Sequence, residues 1–141
     1  MATGITAPIS PQTHRRIDQF TFPGLLAAAA LMSRQDRRAA GVILATAAVE
    51  GAAHVTTDYP PAIFPLMSFR THNRVATAHG ALVIGLGILM PGLTRRGRLA
   101  LCALGTMPIT LASVSDMREP QPVGDADGLR DRVASSSSYT A

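Results

Sequence analysis

Residues 75–94 read VATAHGALVIGLGILMPGLT, and this stretch decides the fold class because it contains no Asp, Glu, Lys or Arg. A helix on the surface of a soluble bundle needs a polar stripe that faces water. His79 and the few threonine and proline positions cannot form such a stripe over a helix of this length. The stretch is therefore apolar on all sides, which is typical of a helix surrounded by lipid.

Three further stretches of the chain share this low charge. Residues 19–33 and 99–115 contain no charged residue, and residues 39–57 contain only Glu50. Segments of this length are short to normal for a hydrocarbon core about 30 Å thick. The sequence therefore predicts an all-α protein with four transmembrane helices.

The chain consists of two related halves, which align without gaps when the sequence is shifted by 58 residues. Residues 13–60 then correspond to residues 71–118, and the shared residues are mostly polar. The polar matches are Thr13 with Thr71, His14 with His72, Arg16 with Arg74, Arg37 with Arg95, Arg38 with Arg96, and Asp58 with Asp116. Because each half contains two spans, both halves enter the membrane in the same direction. We therefore expect two parallel-repeat helical hairpins in one transmembrane domain, residues 13–118.

The repeat places two kinds of charge at opposite ends of the predicted bundle. Arginines in residues 34–38 and 95–98 lie at one end, where compact basic loops favour the cytoplasmic side of a membrane. Both termini would then lie on the non-cytoplasmic side of a bacterial inner membrane. At that end we expect an interfacial ion-pair network, with pairs such as Arg16 with Asp58. Its six members are His14, Arg16, Asp58, His72, Arg74 and Asp116.

The basic composition does not indicate a nucleic-acid partner. The net charge is +4, and all 13 basic residues are arginines, a composition that resembles proteins from high-GC bacteria. The arginines cluster between apolar segments, as in membrane proteins, and do not form one basic face. The single Cys102 excludes an intramolecular disulfide. We therefore expect the lipid bilayer and other membrane-protein subunits as partners, and no nucleic acid.

Residues outside the two halves have a different composition. Residues 1–12 are polar and turn-rich, and residues 119–141 are rich in Pro, Gly, Ser and charge. Both segments are predicted to be disordered tails. The connection at residues 59–73 contains three prolines and an apolar core, which predicts a turn along the membrane surface.

Three titratable side chains lie inside the predicted spans, namely Glu50, His54 and His79. Glu50 and His54 are four residues apart, so they share a helix face. A charged group within a membrane costs ~2.5 kcal/mol or more and marks either a functional site or a paired network. Three interpretations stay open: a structural hydrogen-bonded network, a metal or haem site with these three residues as ligands, and a proton relay or small-substrate site.

The segment TDYPPAIFPLMSFRTHNRVATAHGALVIGLGILMPGL, residues 57–93, resembles small four-span bacterial membrane proteins that are largely uncharacterised. The chain is also loosely similar to the SPW-repeat integral membrane domain, a duplicated two-span unit. The Ser-Pro-Trp signature of that domain falls at Met90-Pro91-Gly92, where the proline agrees. The resemblance covers roughly residues 13–118 and implies a fold and a topology, but no activity.

No stretch of the sequence predicts a reaction or fixes a cofactor, because no nucleophile has both a base and an orienting group at suitable spacing. The first hypothesis is a small multi-pass membrane protein that acts as a non-enzymatic structural or accessory subunit. It would pack against other membrane proteins through small-residue pairs such as Ala76 with Gly80 and Ala81 with Gly85. The alternative is a membrane protein whose buried Glu and His site binds a metal or cofactor, or relays protons.

Overall fold

A computed structural model of the chain describes residues 9–58 and 63–116. The predicted tail at 119–141 and most of the predicted tail at 1–12 lie outside the described residues. Within them the chain forms four helices and no named strand, which confirms the all-α prediction. The helices are α1 (Pro11–Met32), α2 (Arg37–Thr56), α3 (Phe69–Leu89) and α4 (Arg95–Val114). Each has 20 to 22 residues, which makes each about 30 Å long.

The helix starts repeat between the two halves. Ser10 caps α1 by accepting a hydrogen bond from the backbone N–H of Thr13, and Ser68 caps α3 in the same way through Thr71. A serine side chain at this position satisfies a backbone donor that the helix leaves unpaired. The caps let α1 and α3 begin before their apolar stretches do, so that α1 starts two residues ahead of the predicted first half, at Pro11.

The four helices pack as two hairpins. α1 packs against α2, α3 packs against α4, and α2 joins the hairpins by contacting both α3 and α4. α1 makes little contact with the second hairpin along its length. It approaches that hairpin at its first turns, where His14 lies 5.0 Å from the ring of Phe69.

Contacts between the halves also follow the repeat. The backbone of Ile9, before α1, forms a parallel bridge with Ser115, after α4. The equivalent residues Met67 and Thr57 form the equivalent bridge. The start of each half is therefore tied to the end of the other half, and the two halves have a near-twofold relation.

The opposite end of the bundle is joined by Asp36. One carboxylate oxygen of Asp36 accepts hydrogen bonds from the backbone N–H groups of Arg38 and Ala39, and so caps α2. The other oxygen accepts from the backbone N–H and the hydroxyl of Thr94, at 2.7 and 3.0 Å. Because Thr94 caps α4, one carboxylate links the first turns of α2 and α4.

The outer surface is unusually apolar. Within the described residues, α2 and α4 are long and apolar enough to cross a membrane, yet only 33% and 22% of those segments are buried. Large apolar side chains such as Leu44 and Leu99 are 54% and 61% exposed. α1 and α3 are as long but do not meet this criterion, and both carry polar residues in their first turns. Length and composition therefore support a membrane span for α2 and α4, two of the four predicted spans.

Candidate metal centre

His14 and His72 occupy equivalent positions in the second turns of α1 and α3, and each is only 2% exposed. The Nδ1 atom of His14 lies 2.7 Å from the hydroxyl oxygen of Ser115. The Nδ1 atom of His72 lies 2.9 Å from the hydroxyl oxygen of Thr57. Ser115 and Thr57 are also repeat equivalents, so the same histidine–hydroxyl contact is made twice, each time between the halves.

The hydroxyl groups determine which nitrogen of each ring carries the proton. Ser115 donates its hydroxyl proton to the carbonyl of Leu111, and Thr57 donates its proton to the carbonyl of Ala53, both at 2.6 Å. A hydroxyl has a single proton, so each must accept a hydrogen bond from the histidine Nδ1–H. In the neutral ring, Nε2 then carries the lone pair. This geometry assigns the tautomer in which Nε2 can ligate a metal.

The two Nε2 atoms converge on Asp18, which lies one turn after His14. The Nε2 atom of His14 is 3.5 Å from one carboxylate oxygen, and the Nε2 atom of His72 is 3.4 Å from the other. The Asp18 side chain is 9% exposed. Ala76 occupies the equivalent position in the second half. A single carboxylate therefore serves both histidines.

The separations of these three residues are short enough for a shared ligand. A tetrahedral metal ion with bonds of about 2.1 Å holds its ligand atoms about 3.4 Å apart. The nitrogen–oxygen distances are 3.5 Å for His14 and 3.4 Å for His72, and they are made to different oxygens of Asp18. Ligand atoms of His14, Asp18 and His72 all lie within 4.8 Å of one another.

Phe69 holds the two imidazole rings in place. It is fully buried, its ring meets His14 edge to face at 5.0 Å, and it stacks on His72 with a centroid distance of 6.4 Å. An apolar ring in this position excludes water from the inner side of the cluster. The imidazoles are thus oriented by Phe69 and by their hydroxyl partners before any ligand binds.

The histidine–aspartate cluster lies at one end of a cleft of about 700 Å³ between the helices. Glu50 and His79 line the same cleft, whereas His54 does not. Glu50 lies close enough to His72 and Asp18 to interact with their charges. The Nε2 atom of His79 is 3.3 Å from the hydroxyl of Thr46. Two of the three predicted metal ligands, Glu50 and His79, therefore line the cleft without belonging to the cluster.

The members of the predicted interfacial network differ in burial. His14 and His72 are buried, while Arg16, Arg74 and Asp58 are exposed. In the part of the chain that the structure describes, no ion pair joins Arg16 to Asp58. The backbone N–H groups of Asp58 and Asp116 donate to the carbonyls of Met67 and Ile9, beside the two parallel bridges.

Asp18 is the ligand candidate that the sequence reasoning missed. Its spacing of four residues from His14 places both on one face of α1, and this spacing was the available signal. Asn73 was also missed. Its Nδ2 group donates to the carbonyl of Phe69, while its buried Oδ1 atom has no hydrogen-bond partner among the described residues.

Two imidazole nitrogens and one carboxylate are a competent ligand set for a divalent first-row transition metal. The hydroxyl groups behind the rings are the outer partners that such histidines require. Comparisons with protein-family models, curated proteins and solved structures give no match to this chain. The likeness to the SPW-repeat domain therefore stays a prediction, and the function must be argued from the site.

Proposed function

We propose that this chain is a four-span integral membrane protein that binds a divalent transition-metal ion through His14, Asp18 and His72. The observation that carries the proposal is the convergence of two Nε2 atoms, with tautomers set by hydroxyl groups, on one shared carboxylate. Buried ionisable groups in a membrane protein mark a functional site unless they form a structural network. The proximity of the three ligand atoms, which all lie within 4.8 Å of one another, supports the metal site.

The exposed apolar surface supports the membrane location. α2 and α4 have the length and composition of spans, and most of their surface is not covered by the rest of the chain. α1 and α3 have similar lengths and pack beside them as the other arms of the hairpins. With lipid as the solvent for these faces, all four helices cross the membrane. The metal centre then lies near the non-cytoplasmic face, opposite the arginine loops.

The coordination would be incomplete with protein ligands alone. Structural zinc sites use four protein ligands, whereas sites that act on a ligand keep one position open. His14, Asp18 and His72 supply three, and all three line the cleft. A fourth position would therefore face the cleft, on the side where Glu50 lies. A bound metal ion would supply a positive charge and a Lewis acid at this point.

Zinc binding by the detergent-purified protein tests the proposal. We expect one zinc ion per chain in equilibrium dialysis with metal analysis. His14→Ala or His72→Ala should weaken binding by more than the roughly 10–100-fold cost of losing an outer partner. Ser115→Ala and Thr57→Val should each cost about that 10–100-fold, because the histidine tautomer is no longer fixed. Thr57→Ser keeps the hydroxyl and should bind zinc normally.

His54→Ala is the matched control, since this histidine does not line the cleft. It should bind zinc as the wild type does. Circular dichroism of every variant separates a lost ligand from a lost fold. Wild-type protein that binds no zinc, or His14→Ala and His72→Ala variants that bind it unchanged, would contradict the proposal.

A purely structural or accessory role is the second candidate, and the outer face of α2 favours it. Gly41, Ala45, Ala48 and Ala52 are exposed and lie about one turn apart. Such small residues let a neighbouring helix approach closely in lipid. This role requires that the histidine variants insert, assemble and function normally. Loss of function in variants that still insert would exclude it.

A further inference from the structure

The cleft is open to the side of the bundle, because α1 contacts α3 and α4 little beyond its first turns. One wall is formed by α1 from His14 to Leu25, and the facing wall by α4 from Ala103 to Val114. Eleven residues of helix span about 16 Å. The cleft is therefore an elongated slot with the metal centre at one end, and its open side faces the surrounding lipid.

The polarity of the cleft changes along its length. His14, Asp18, His72 and Glu50 lie at one end, while Leu25, Val83 and Leu104 lie towards the middle of the bundle, with His79 and Thr46 between them. Gly24 lines the cleft beside Leu25, and a side chain added there would meet no atom within 4 Å. An amphiphile, with a polar head and one apolar chain, matches this gradient.

The polar groups at this end of the cleft indicate the kind of head group. The open metal position would accept a neutral oxygen ligand, such as a water or hydroxyl oxygen. Asn73 also lines the cleft, and its buried Oδ1 atom has no donor among the described residues. A hydroxyl group offers both an oxygen ligand and that donor.

We propose that the cleft binds a single-chain amphiphile with a neutral hydroxyl head group, taken from the membrane. The head group lies at the metal centre beside Asn73, and the chain lies between α1 and α4. This inference rests on the proposed metal site. It adds the chemical class of the molecule that the site receives.

Photolabelling tests this inference on zinc-loaded protein in phosphatidylcholine nanodiscs. The probe is 1-dodecanol with a diazirine at the chain end, and mass spectrometry locates the label. We expect labelling near Leu25 and Leu104, where the chain would end. Unlabelled 1-dodecanol should compete at least about tenfold better than dodecanoate, which has the same chain and an anionic head. Gly24→Leu should abolish this labelling because its side chain fills the cleft.

Gly41→Leu is the matched control, since position 41 is equally open but lies outside the cleft. It should leave the labelling unchanged, and both variants should still bind zinc. Labels spread evenly over lipid-facing residues such as Leu31 and Ile88, or better competition by dodecanoate, would overturn the inference. If the protein binds zinc but the cleft is not labelled, the amphiphile inference is wrong and the metal proposal stands. Failure to bind zinc removes the metal proposal itself.

Discussion

Asp36 and Thr94 occupy equivalent positions in the two halves but have complementary chemistry. Asp36 accepts four hydrogen bonds, and two of them come from Thr94. The backbone N–H of Ala39, followed by the backbone N–H and hydroxyl of Thr94, holds the pKa of Asp36 below its ordinary value. The carboxylate form is therefore the form that caps α2 and links the hairpins.

This depressed pKa predicts an acid-sensitive link. A group whose pKa is lowered on folding stabilises the fold above its ordinary pKa of about 3.9, and loses that contribution as the pH falls through its folded pKa. At pH 7, Asp36→Asn should melt at a lower temperature than the wild type. The difference should shrink as the pH falls from about 4 towards 3. Thermal melts followed by circular dichroism in detergent measure this.

Thr94→Ser keeps both donors to the Asp36 carboxylate, so this control variant should melt with the same pH dependence as the wild type. A difference between the wild type and Asp36→Asn that stays constant down to pH 3 would show that the carboxylate charge contributes nothing.

Sequence reasoning singled out His14 and His72, but it did not predict that they are buried. His14 and His72 stand out as a repeated pair, but spacing alone placed them in an exposed ionic network. Their burial depends on how the first turns of α1 and α3 pack around Phe69, which is a tertiary feature. Asp18 has no counterpart in the second half, so a search based on the repeat could not select it.

At the level of the helices, α3 and α4 are in backbone contact at Gly80 and Gly105. A Cβ atom added to either glycine would lie 2.5 Å from the carbonyl oxygen of the other. A carbonyl in a helix cannot move away without breaking its own hydrogen bond. The two helices can therefore approach this closely only without side chains at these positions.

Gly80→Ala should consequently destabilise the protein by about 1–3 kcal/mol, the usual cost of overpacking. Gly85→Ala lies on the same helix and meets no atom within 4 Å. It should be neutral or stabilising by up to about 1 kcal/mol, because alanine favours helix over glycine. Chemical denaturation in detergent compares the two variants. Equal effects would show that α3 and α4 are not in contact at Gly80.

The apolar stretches predicted all four helices, but not their first turns. α1 begins at Pro11 and α3 at Phe69, well before the charge-free segments at residues 19 and 75. Polar residues in these turns hid them from a hydropathy argument, while the serine caps that start them are short-range signals. The spacing of small residues did not identify which of them lie in a helix contact. Gly80 lies in such a contact, whereas Gly85 does not.

At the level of the whole molecule, the proposed topology, with four spans and the arginine loops on the cytoplasmic side, predicts a definite labelling pattern. Three variants, Gln12→Cys, Gln35→Cys and Gly41→Cys, each also carry Cys102→Ser. The single cysteine in each variant reports whether its position is accessible to reagent. Gln12→Cys should react with an impermeant maleimide in intact spheroplasts. Gln35→Cys should react only after permeabilisation, and Gly41→Cys should react in neither state because lipid covers it.

Reversed accessibility of Gln12→Cys and Gln35→Cys would invert the topology and leave the fold unchanged. Reaction of all three cysteines, with the chain in the supernatant after ultracentrifugation without detergent, would remove the membrane assignment.

The near-twofold relation of the halves bears on how the proposed metal centre could arise. If two identical copies of the first hairpin assembled as a homodimer, two Asp36 carboxylates would face each other, and two Asp18 carboxylates would meet between the histidines. Like charges in such positions repel and hinder each other's ionisation. In a single polypeptide the second copy can carry Thr94 and Ala76 instead. When both hairpins belong to one polypeptide, the residues that face each other between the halves can differ. In a homodimer of a single hairpin these residues must be identical.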